Sequence, residues 1–380
     1  MGHKIVIAGA GGIASAVGLI IAEWAEGAPQ LFIGNRTLDK AQQLAQWIKD
    51  GVTKPCEVKA FLLSENDTTS EMESVFREGD ILLDCLPGSL APRMAGYAKE
   101  YGMHYVNLTE YVAETKEIMA LAKDAETGFI LQSGLAPGYI DVLAHHLFLE
   151  FCKANKVDKV DSLEFKVGAL THHAVAPHYY GFTWSPIGVA TEYIKEAETL
   201  RNYKIKPRPS LSERATIIID GIAYEEDLTS GGAADLPHAL EGKVGNLDYK
   251  TLRHPGHYAW VDHQIKGMEK DDDTIATLQR VMGEAIPHIE DDQIVLYAAV
   301  EGKDSKGILR RNEVAKKIYP QKVGKHTLKA IQTTTAVPMV EAAYHLLSTK
   351  SKGLILQSQL DPLPFLNGKF VTPVYGEIEE

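Results

Sequence analysis

The stretch Lys4-Ile-Val-Ile-Ala-Gly-Ala-Gly-Gly-Ile-Ala14 carries the strongest structural signal in this 380-residue chain. Its apolar beginning predicts a short buried strand, and the glycines then fit the pattern G-x-G-x-x-A where a strand turns into a helix. The first glycine permits the tight turn, the second lets the backbone approach a pyrophosphate, and the small last residue packs helix on strand. The helix N-terminus offers N–H groups and partial positive charge to phosphates. We expect a dinucleotide site at Gly9, Gly11, Gly12, Ile13 and Ala14. A glycine turn that only packs is the alternative.

The first 135 residues continue with the alternation of a parallel sheet. Short apolar runs bounded by turn residues are what strands buried on both faces require. The predicted strands are 4–8, 30–34, 58–63, 80–84, 104–108 and 128–132. The predicted helices are 12–26, 37–49, 70–77, 91–99 and 114–125. Together they predict an α/β fold with a complete doubly wound parallel sheet.

The end of the second predicted strand indicates which nicotinamide cofactor binds. It reads Ile33-Gly-Asn-Arg-Thr37, without the carboxylate that would bond the ribose 2′-OH of NAD. Asn35, Arg36 and Thr37 can instead hold a 2′-phosphate. We therefore expect NADP(H), with NAD as the alternative cofactor. Arg36 as a solvated surface charge is the competing interpretation.

The pattern changes after residue 134, where longer helices and antiparallel pairs begin. The sequence predicts an alternating strand, two hairpins, a surface loop and a final amphipathic helix. These segments are 163–170, 215–224 with its turn at Asp220-Gly221, 293–301 with 307–311, 206–210 and 333–347. The mixture predicts a second, α+β domain.

Composition and charge narrow the classes of function. The 51 acidic against 39 basic residues leave a net charge of -12, which argues against sequence-independent binding of nucleic acid. Three cysteines without a C-x-x-C pair predict a reducing compartment. The uncharged segment 5–22 resembles a secretory h-region, but the glycines of the phosphate turn interrupt it. We expect a cytoplasmic protein without membrane contact.

Three further motifs carry a family resemblance. Gly134-Leu-Ala-Pro-Gly138 opens a long helix, and Thr183-Trp-Ser-Pro-Ile-Gly188 and Thr251-Leu-Arg-His-Pro-Gly-His257 follow. With Gly34-Asn-Arg-Thr37, they resemble the saccharopine dehydrogenase family over essentially the whole chain. The resemblance implies a Rossmann NADP-binding domain, residues 1–136 plus 333–380. It also implies an inserted α+β catalytic, substrate and dimerisation domain at 137–332, and so a homodimer.

Residues that follow the fourth to sixth strands are candidates to contact the nicotinamide, because ligands bind at the carboxyl ends of parallel strands. They are Cys85, Leu86, Pro87, Glu110, Tyr111, Gly134 and Ala136. Redox chemistry at a C–N bond also needs a group with a pKa near working pH. Glu110 is a catalytic candidate, with helix capping as the alternative. His172 and His173 are further candidates, with a solvated turn as the alternative.

An amino-acid substrate also needs a partner for its carboxylate. Arg253 is the predicted clamp, because a guanidinium pairs bidentately with a carboxylate. A surface or interdomain salt bridge is the alternative. Trp184 and Tyr111 are expected to line the substrate pocket. We expect no metal site, because adjacent histidine pairs cannot easily chelate together and hydride transfer needs no metal.

These observations leave three functions open. The resemblance implies an NADP(H)-dependent oxidoreductase that acts on a C–N bond of an amino-acid-like substrate, as saccharopine reductase does. The second is a carboxynorspermidine dehydrogenase-like enzyme, in which Tyr224-Glu-Glu-Asp227 would serve a polycation; a solvated hairpin face is the simpler interpretation. The third is a non-catalytic NADP-binding sensor, which would not need Arg253 or Trp184. His254 and segment 105–111 depart from the family's pattern where substrate choice would be set.

Overall fold

The computed structural model describes residues 2–379, which form two compact units. The first unit contains residues 2–139, 321–328 and 332–379, and the second contains residues 140–320 and 329–331. Residues 321–328, which the sequence prediction placed in the inserted domain, fall in the first unit. The first unit is thus built from three separate segments of the chain.

The helices and strands have the following bounds. The strands are β1 Lys4–Ala8, β2 Gln30–Asn35, β3 Glu57–Leu62, β4 Ile81–Asp84, β5 His104–Asn107, β6 Gly128–Ile130, β7 Val160–Thr171, β8 Ala197–Arg201, β9 Lys204–Arg208, β10 Ala215–Ile219, β11 Ile222–Leu228, β12 Val244–Arg253, β13 Asp292–Lys303, β14 Leu309–Ile318, β15 Gln321–Val323, β16 His326–Leu328 and β17 Gly353–Ile355. The helices are α1 Gly12–Trp24, α2 Leu38–Gly51, α3 Ser70–Glu78, α4 Ala91–Tyr101, α5 Val112–Ala122, α6 Tyr139–Asn155, α7 Pro186–Ile194, α8 Leu236–Ala239, α9 His257–Gln264, α10 Asp272–Ala285, α11 Ala330–Thr349, α12 Pro362–Leu366 and α13 Thr372–Tyr375.

The main sheet of the first unit is parallel and runs in the order β3-β2-β1-β4-β5-β6-β17. Successive strands move outward from β1 in one direction and then from β4 in the other, which is the doubly wound Rossmann arrangement. The predicted fold class is therefore confirmed, and each of the six predicted strands is present. The sequence does not predict β17, because three residues are too few to stand out as an apolar run.

Apolar side chains cover this sheet as parallel strands require. The interior on the side of α3, α4 and α5 is built from large aromatic and sulfur-containing residues, which are Phe61, Met72, Phe76, Met94, Met103, Tyr105 and Phe129. Burial of one such side chain stabilises the fold by about 1.5–3 kcal/mol. The packing holds the carboxyl ends of the strands in register, and these ends position the site.

The helix α11 differs from its prediction. The sequence indicates an amphipathic helix at 333–347, whereas α11 spans Ala330–Thr349 with Pro338 inside it. Its buried residues lie on more than one face, since Thr334, Val337, Met339 and Ala342 are all 0% exposed. The amphipathic pattern rests on the large apolar residues alone. Alanines and threonines of α11 are buried as well, so its buried surface is wider than the pattern indicates.

The second unit is built on a mixed sheet. Its central path is β10-β11-β12-β7-β13-β14, with β8 paired to β12 and β9 paired to β8. Both predicted hairpins are present, β10–β11 with its turn at Asp220-Gly221 and β13–β14. Segment 206–210 is not wholly a loop, because Pro207 lies in the exposed strand β9, where an edge tolerates a residue without an N–H.

Helices α7, α9 and α10 of the second unit enclose an aromatic core. Its buried members include Tyr180, Phe182, Tyr193, Tyr258 and Met282. None of the helices within residues 2–379 combines the length and the apolar character that crossing a membrane requires.

Candidate functional site

The glycine turn between β1 and α1 is open above its second glycine. Gly9 has φ +116°, and a Cβ there would lie 3.0 Å from the carbonyl oxygen of Cys85, so only glycine suits this position. Gly11 has extended backbone, is exposed, and has no atom within 4 Å of the place where a Cβ would stand. The turn therefore leaves room for a group that approaches the backbone closely.

The start of α1 is suited to an anion. The first N–H groups of any helix lack partners inside the helix, and no acidic residue lies in the first turn of α1. Ala14 is fully buried, as close packing of helix on strand requires. Gln332 of α11 lies beside the turn and donates from Nε2 to the Gly12 carbonyl at 2.8 Å. The half-buried Ile13 completes the predicted phosphate-binding stretch.

The predicted 2′-phosphate residues lie together at the end of β2. Asn35 donates from Nδ2 to the Thr37 carbonyl at 3.1 Å, and the Thr37 side chain makes no capping hydrogen bond to α2. Arg36 is 72% exposed and its Nη1 lies 3.0 Å from Oε1 of Glu65. The guanidinium thus reaches solvent, and it carries one carboxylate partner that the sequence did not predict.

The segments after β4 and β5 lie against each other. A Cβ added to Gly88 would collide with Thr109 Oγ1 and the ring of Tyr111. Leu86 is half-buried and Pro87 is exposed in the same segment. The Cys85 thiol lies 3.8 Å from the Met339 sulfur, and burial with the nearby Asp84 raises the pKa of that thiol well above its usual value. Cys85 is therefore a protonated, packed thiol.

The motif Gly134–Gly138 folds into a closed loop at the end of the sheet. Gly134 donates from its N–H to the Pro137 carbonyl at 2.9 Å and accepts from the Tyr139 N–H at 2.8 Å. The Ala136–Pro137 peptide is cis, and Gly138 has φ +134° with its α-carbon against the Gly134 backbone. Both glycines are needed for this close approach of backbone to backbone.

Glu110 has the properties of a proton-transfer group. Its side chain is half-buried, and burial raises the pKa of the Glu110 carboxyl, with the charge of Glu114 raising it further. The N-cap of α5 is Tyr111, without a side-chain capping bond. Thr115 donates to the Tyr111 carbonyl at 2.7 Å, which holds Tyr111 at the start of the helix.

Two features of the first unit escaped the sequence prediction. Asp84 ends β4 and is buried, where it accepts hydrogen bonds from the Tyr105 hydroxyl at 2.8 Å and the Leu86 N–H at 3.0 Å. Burial raises the pKa of Asp84 to about 6. Helix α11 brings Gln332 to the glycine turn and Met339 to Cys85. The position of Asp84 at the end of an apolar strand could have identified it from the sequence. No sequence pattern indicates that α11 contacts the glycine turn and Cys85.

In the second unit, Arg253 is enclosed rather than exposed. Only 1% of the residue is exposed, and its guanidinium stacks 4.9 Å from the ring centre of Tyr180. Nε donates to the Tyr193 hydroxyl at 2.6 Å and Nη1 donates to the Leu252 carbonyl at 2.9 Å. Nη2 lies 4.0 Å from Oε2 of Glu192. A surface salt bridge is therefore not the role of Arg253.

His257 extends the hydrogen-bonded chain that begins at Arg253. Its Nδ1 lies 2.7 Å from the His178 carbonyl, which only accepts, so this nitrogen carries the ring proton. Nε2 then accepts from the Tyr193 hydroxyl at 3.0 Å, while Tyr193 accepts from Arg253. Burial and the charge of Arg253 lower the pKa of His257 to about 3, so the ring stays neutral.

The predicted histidine pair directly follows the end of β7 at Thr171. His172 stacks on Tyr319 with ring centres 5.5 Å apart, and its Nε2 lies 3.7 Å from Asp291. His173 is exposed and its N–H donates to Thr171 Oγ1 at 3.1 Å. The structure gives His173 the surroundings of a solvated turn.

Trp184 packs at the start of α7. A Cβ added to Gly188 would collide with the Trp184 ring, which explains the glycine of this motif. The ring is half-buried against the aromatic core of the second unit. Trp184 therefore keeps one part of its surface accessible, as a pocket-lining residue needs.

Two acids of the run Glu225–Asp227 are paired with cations inside the second unit, whereas Glu225 accepts from the Gly256 N–H at 3.2 Å. Glu226 accepts from Lys166 at 2.9 Å and from Lys250 at 3.2 Å, and Asp227 accepts from Arg214 at 3.1 Å. Because Glu226 and Asp227 are buried and paired, neither a polycation pocket nor a solvated hairpin face describes these two acids. Within residues 2–379, no group of three or more His, Cys, Asp or Glu side chains is placed to hold a metal ion.

The parallel sheet, its order reversal and the open glycine turn define a dinucleotide-binding protein of the Rossmann class. Comparison with family models gives the family. The saccharopine dehydrogenase NADP binding domain matches residues 5–131, and the saccharopine dehydrogenase C-terminal domain matches residues 134–380. The chain therefore belongs to the saccharopine dehydrogenase family of oxidoreductases.

Solved structures share this fold. Saccharopine dehydrogenase (L-Glu forming) from Saccharomyces cerevisiae has a TM-score of 0.74 at 17% identity, with 98% of each chain covered. Homospermidine synthase from Legionella pneumophila, solved with NAD, has a TM-score of 0.67 at 14% identity, with 99% of this chain and 90% of that chain covered.

The matches to curated proteins each cover only part of this chain and part of the relative. Mitochondrial alpha-aminoadipic semialdehyde synthase from Mus musculus is 26% identical over 180 residues, which is 46% of this chain and 18% of the mouse protein. The chain covers 29% of the length of shikimate dehydrogenase (NADP(+)) from Methanopyrus kandleri and 18% of the length of the mouse protein.

Proposed function

We propose that this protein is an NADP(H)-dependent oxidoreductase that reduces an imine formed between an amino acid and an aldehyde-bearing partner, or catalyses the reverse oxidation of a C–N bond. The observation that carries the proposal is the open glycine turn followed by the solvent-facing guanidinium of Arg36. The family and the fold of the saccharopine dehydrogenase from yeast support the choice of reaction.

The first unit would hold the cofactor by its phosphates. The N–H groups at the start of α1 receive the pyrophosphate, and Arg36 with Thr37 and Asn35 receives the 2′-phosphate. The segments Cys85–Pro87 and Gly134–Ala136 follow β4 and β6, at the strand ends where the nicotinamide belongs. Bound NADP(H) supplies or accepts the hydride.

Glu110 would exchange the proton that this chemistry requires. Imine reduction needs an acid that keeps the nitrogen protonated, and amine oxidation needs a base that removes a proton from the ammonium group. Burial raises the pKa of the Glu110 carboxyl, so it stays protonated to a higher pH than an exposed carboxyl, which favours proton exchange with the substrate nitrogen. His257 is unsuited to them because both ring nitrogens are bonded within the fold and its pKa of about 3 makes the ring a weak base. His172 is the second candidate because it keeps a carboxylate partner, Asp291, at 3.7 Å.

The second unit would recognise the substrate. Arg253 would reach a substrate carboxylate only through Nη2, since Nε and Nη1 are engaged with Tyr193 and Leu252, and the carboxylate would have to compete with Glu192, which lies 4.0 Å from Nη2. Trp184 would line the pocket for the aliphatic chain. A small amino-acid-like substrate fits this set, because the acids that a polyamine would need at Glu226 and Asp227 are already paired.

A turnover assay tests the proposal. Loss of NADPH absorbance is followed with glutamate plus an amino acid that bears an aldehyde, and separately with a diamine plus aspartate semialdehyde. We expect turnover with the first pair alone. Turnover only with the diamine pair would favour the polyamine reaction, and tight NADPH binding without any turnover would favour a sensor.

A further inference from the structure

We propose that Glu65 sets the preference between the two nicotinamide dinucleotides by competing with a 2′-phosphate for Arg36. This inference rests on the proposed use of NADP(H) by the first unit. It assigns a role to an acid that lies outside the glycine turn and outside the segment at the end of β2.

Glu65 lies against Arg36, the residue proposed to hold the 2′-phosphate. Strands β2 and β3 pair in parallel with Asn35 opposite Leu62, so the residues that follow them leave the same edge of the sheet. Arg36 comes directly after β2, and its Nη1 lies 3.0 Å from Oε1 of Glu65. The adenosine ribose of a bound dinucleotide lies at the end of the second strand. The carboxylate therefore holds the guanidinium that a 2′-phosphate needs.

Arg93 of α4 fixes the backbone that presents Glu65. It donates from Nη2 to the Ser64 carbonyl at 2.8 Å and from Nη1 to the Glu65 carbonyl. Its Nε donates to the Tyr97 hydroxyl at 3.2 Å, and the guanidinium lies 5.4 Å from the centre of that ring. Arg93 is thus engaged on every nitrogen, which makes it a positioning residue for Glu65 rather than a phosphate ligand.

The two dinucleotides meet Glu65 differently. A 2′-phosphate carries negative charge, so it must displace the carboxylate from Arg36 and is repelled by it. A ribose hydroxyl carries no charge and leaves the ion pair intact. Glu65 therefore weakens the binding of NADPH while it leaves the binding of NADH almost unaffected. The preference for NADPH over NADH is smaller than it would be with Arg36 unpaired.

A double-mutant cycle tests the inference by direct binding, without a substrate. Dissociation constants for NADPH and NADH are measured by nicotinamide fluorescence at low salt for the full chain and its Glu65→Gln, Arg36→Gln and double variants. We expect Glu65→Gln to tighten NADPH binding about threefold, the scale of an exposed ion pair. NADH binding stays unchanged, and in the Arg36→Gln background the gain disappears. Arg93→Lys, which cannot hold both carbonyls, should move the ratio in the same direction.

The controls separate this inference from the proposed function. Glu71→Gln, an exposed acid in the first turn of α3, should leave both dissociation constants unchanged. If Arg36→Gln weakens NADPH binding but Glu65→Gln leaves the NADPH-to-NADH ratio unchanged, the inference is wrong and the cofactor assignment stands. If Arg36→Gln leaves NADPH binding unchanged, or neither dinucleotide binds, both are wrong.

Discussion

The two units place their candidate groups in opposite surroundings. In the first unit, Gly11 faces open space and Arg36 reaches solvent. In the second unit, Arg253 and His257 are buried and already bonded to Tyr193. A phosphate site thus needs open space above backbone amides, whereas a buried guanidinium is held by partners that the fold itself supplies.

The largest expected effect concerns Glu110 in the first unit. Replacing Glu110 by Gln removes the proton-transfer group, so kcat should fall about 10³-fold, equivalent to about 4 kcal/mol. In the reductive direction, we expect the wild-type rate to fall as pH rises through the pKa of Glu110, and the Glu110→Gln variant should lack this fall. Glu117→Gln, an exposed acid of α5, is the control for kinetics. Unchanged kcat in the Glu110 variant would remove Glu110 from the mechanism.

The buried Arg253 is expected to stabilise the second unit, in contrast to the exposed Arg36 of the first unit. Arg253→Leu leaves the Tyr193 hydroxyl and Glu192 without their cation, so the free energy of unfolding should fall by about 3–4 kcal/mol. The measurement is urea unfolding, with Arg280→Leu as the control because Arg280 is an exposed arginine of α10. A variant that keeps full stability and only raises KM for a carboxylate substrate would show that Arg253 is a clamp alone.

Asp84 is a buried group in the otherwise open edge of the first unit. Its folded pKa is about 6 against an ordinary 3.8, so the folded state binds the proton more tightly than the unfolded state. Wild-type stability should therefore fall as pH rises from 3.8 to 6 and level off above that, by at most about 3 kcal/mol. Asp84→Asn lacks this decline. Parallel stability curves for both proteins between pH 4 and 7 would contradict the assignment.

A side chain at Gly11 would fill the open space above the glycine turn. Among the described residues outside the immediate chain neighbours, nothing lies within 4 Å of a Cβ at Gly11, so the stability of Gly11→Val should stay within about 0.5 kcal/mol of the wild type. The added methyl groups would occupy the place of the pyrophosphate, and NADPH affinity should fall about a hundredfold, about 2.7 kcal/mol. Gly96→Val in α4, where a side chain also meets open space, is the binding control. Equal affinities of the Gly11 variant and the wild type would place the dinucleotide elsewhere.

Features that depend on neighbouring residues in the chain could be predicted from the sequence. The glycine turn, the six strands and the hairpin turn at Asp220-Gly221 each rest on a local pattern, and the structure contains them all. The helix α11 was predicted less well, because its burial depends on elements far away in the chain.

Partners that are distant in the chain could not be predicted. Glu65 meets Arg36 only because β2 and β3 lie side by side, and Met339 meets Cys85 across 254 residues. Arg253 stood out as a charged residue in a turn-rich motif, yet Tyr193 carries no signal that it would bond to Arg253. Side-chain partners are set by tertiary packing, which a single sequence does not display.

An equilibrium titration of the full chain with NADPH and NADH, followed by nicotinamide fluorescence, tests whether the first unit binds a dinucleotide through its phosphates. We expect saturable binding of NADPH, which Arg36→Glu weakens about tenfold more than it weakens NADH. The absence of saturable binding with either dinucleotide would contradict the account.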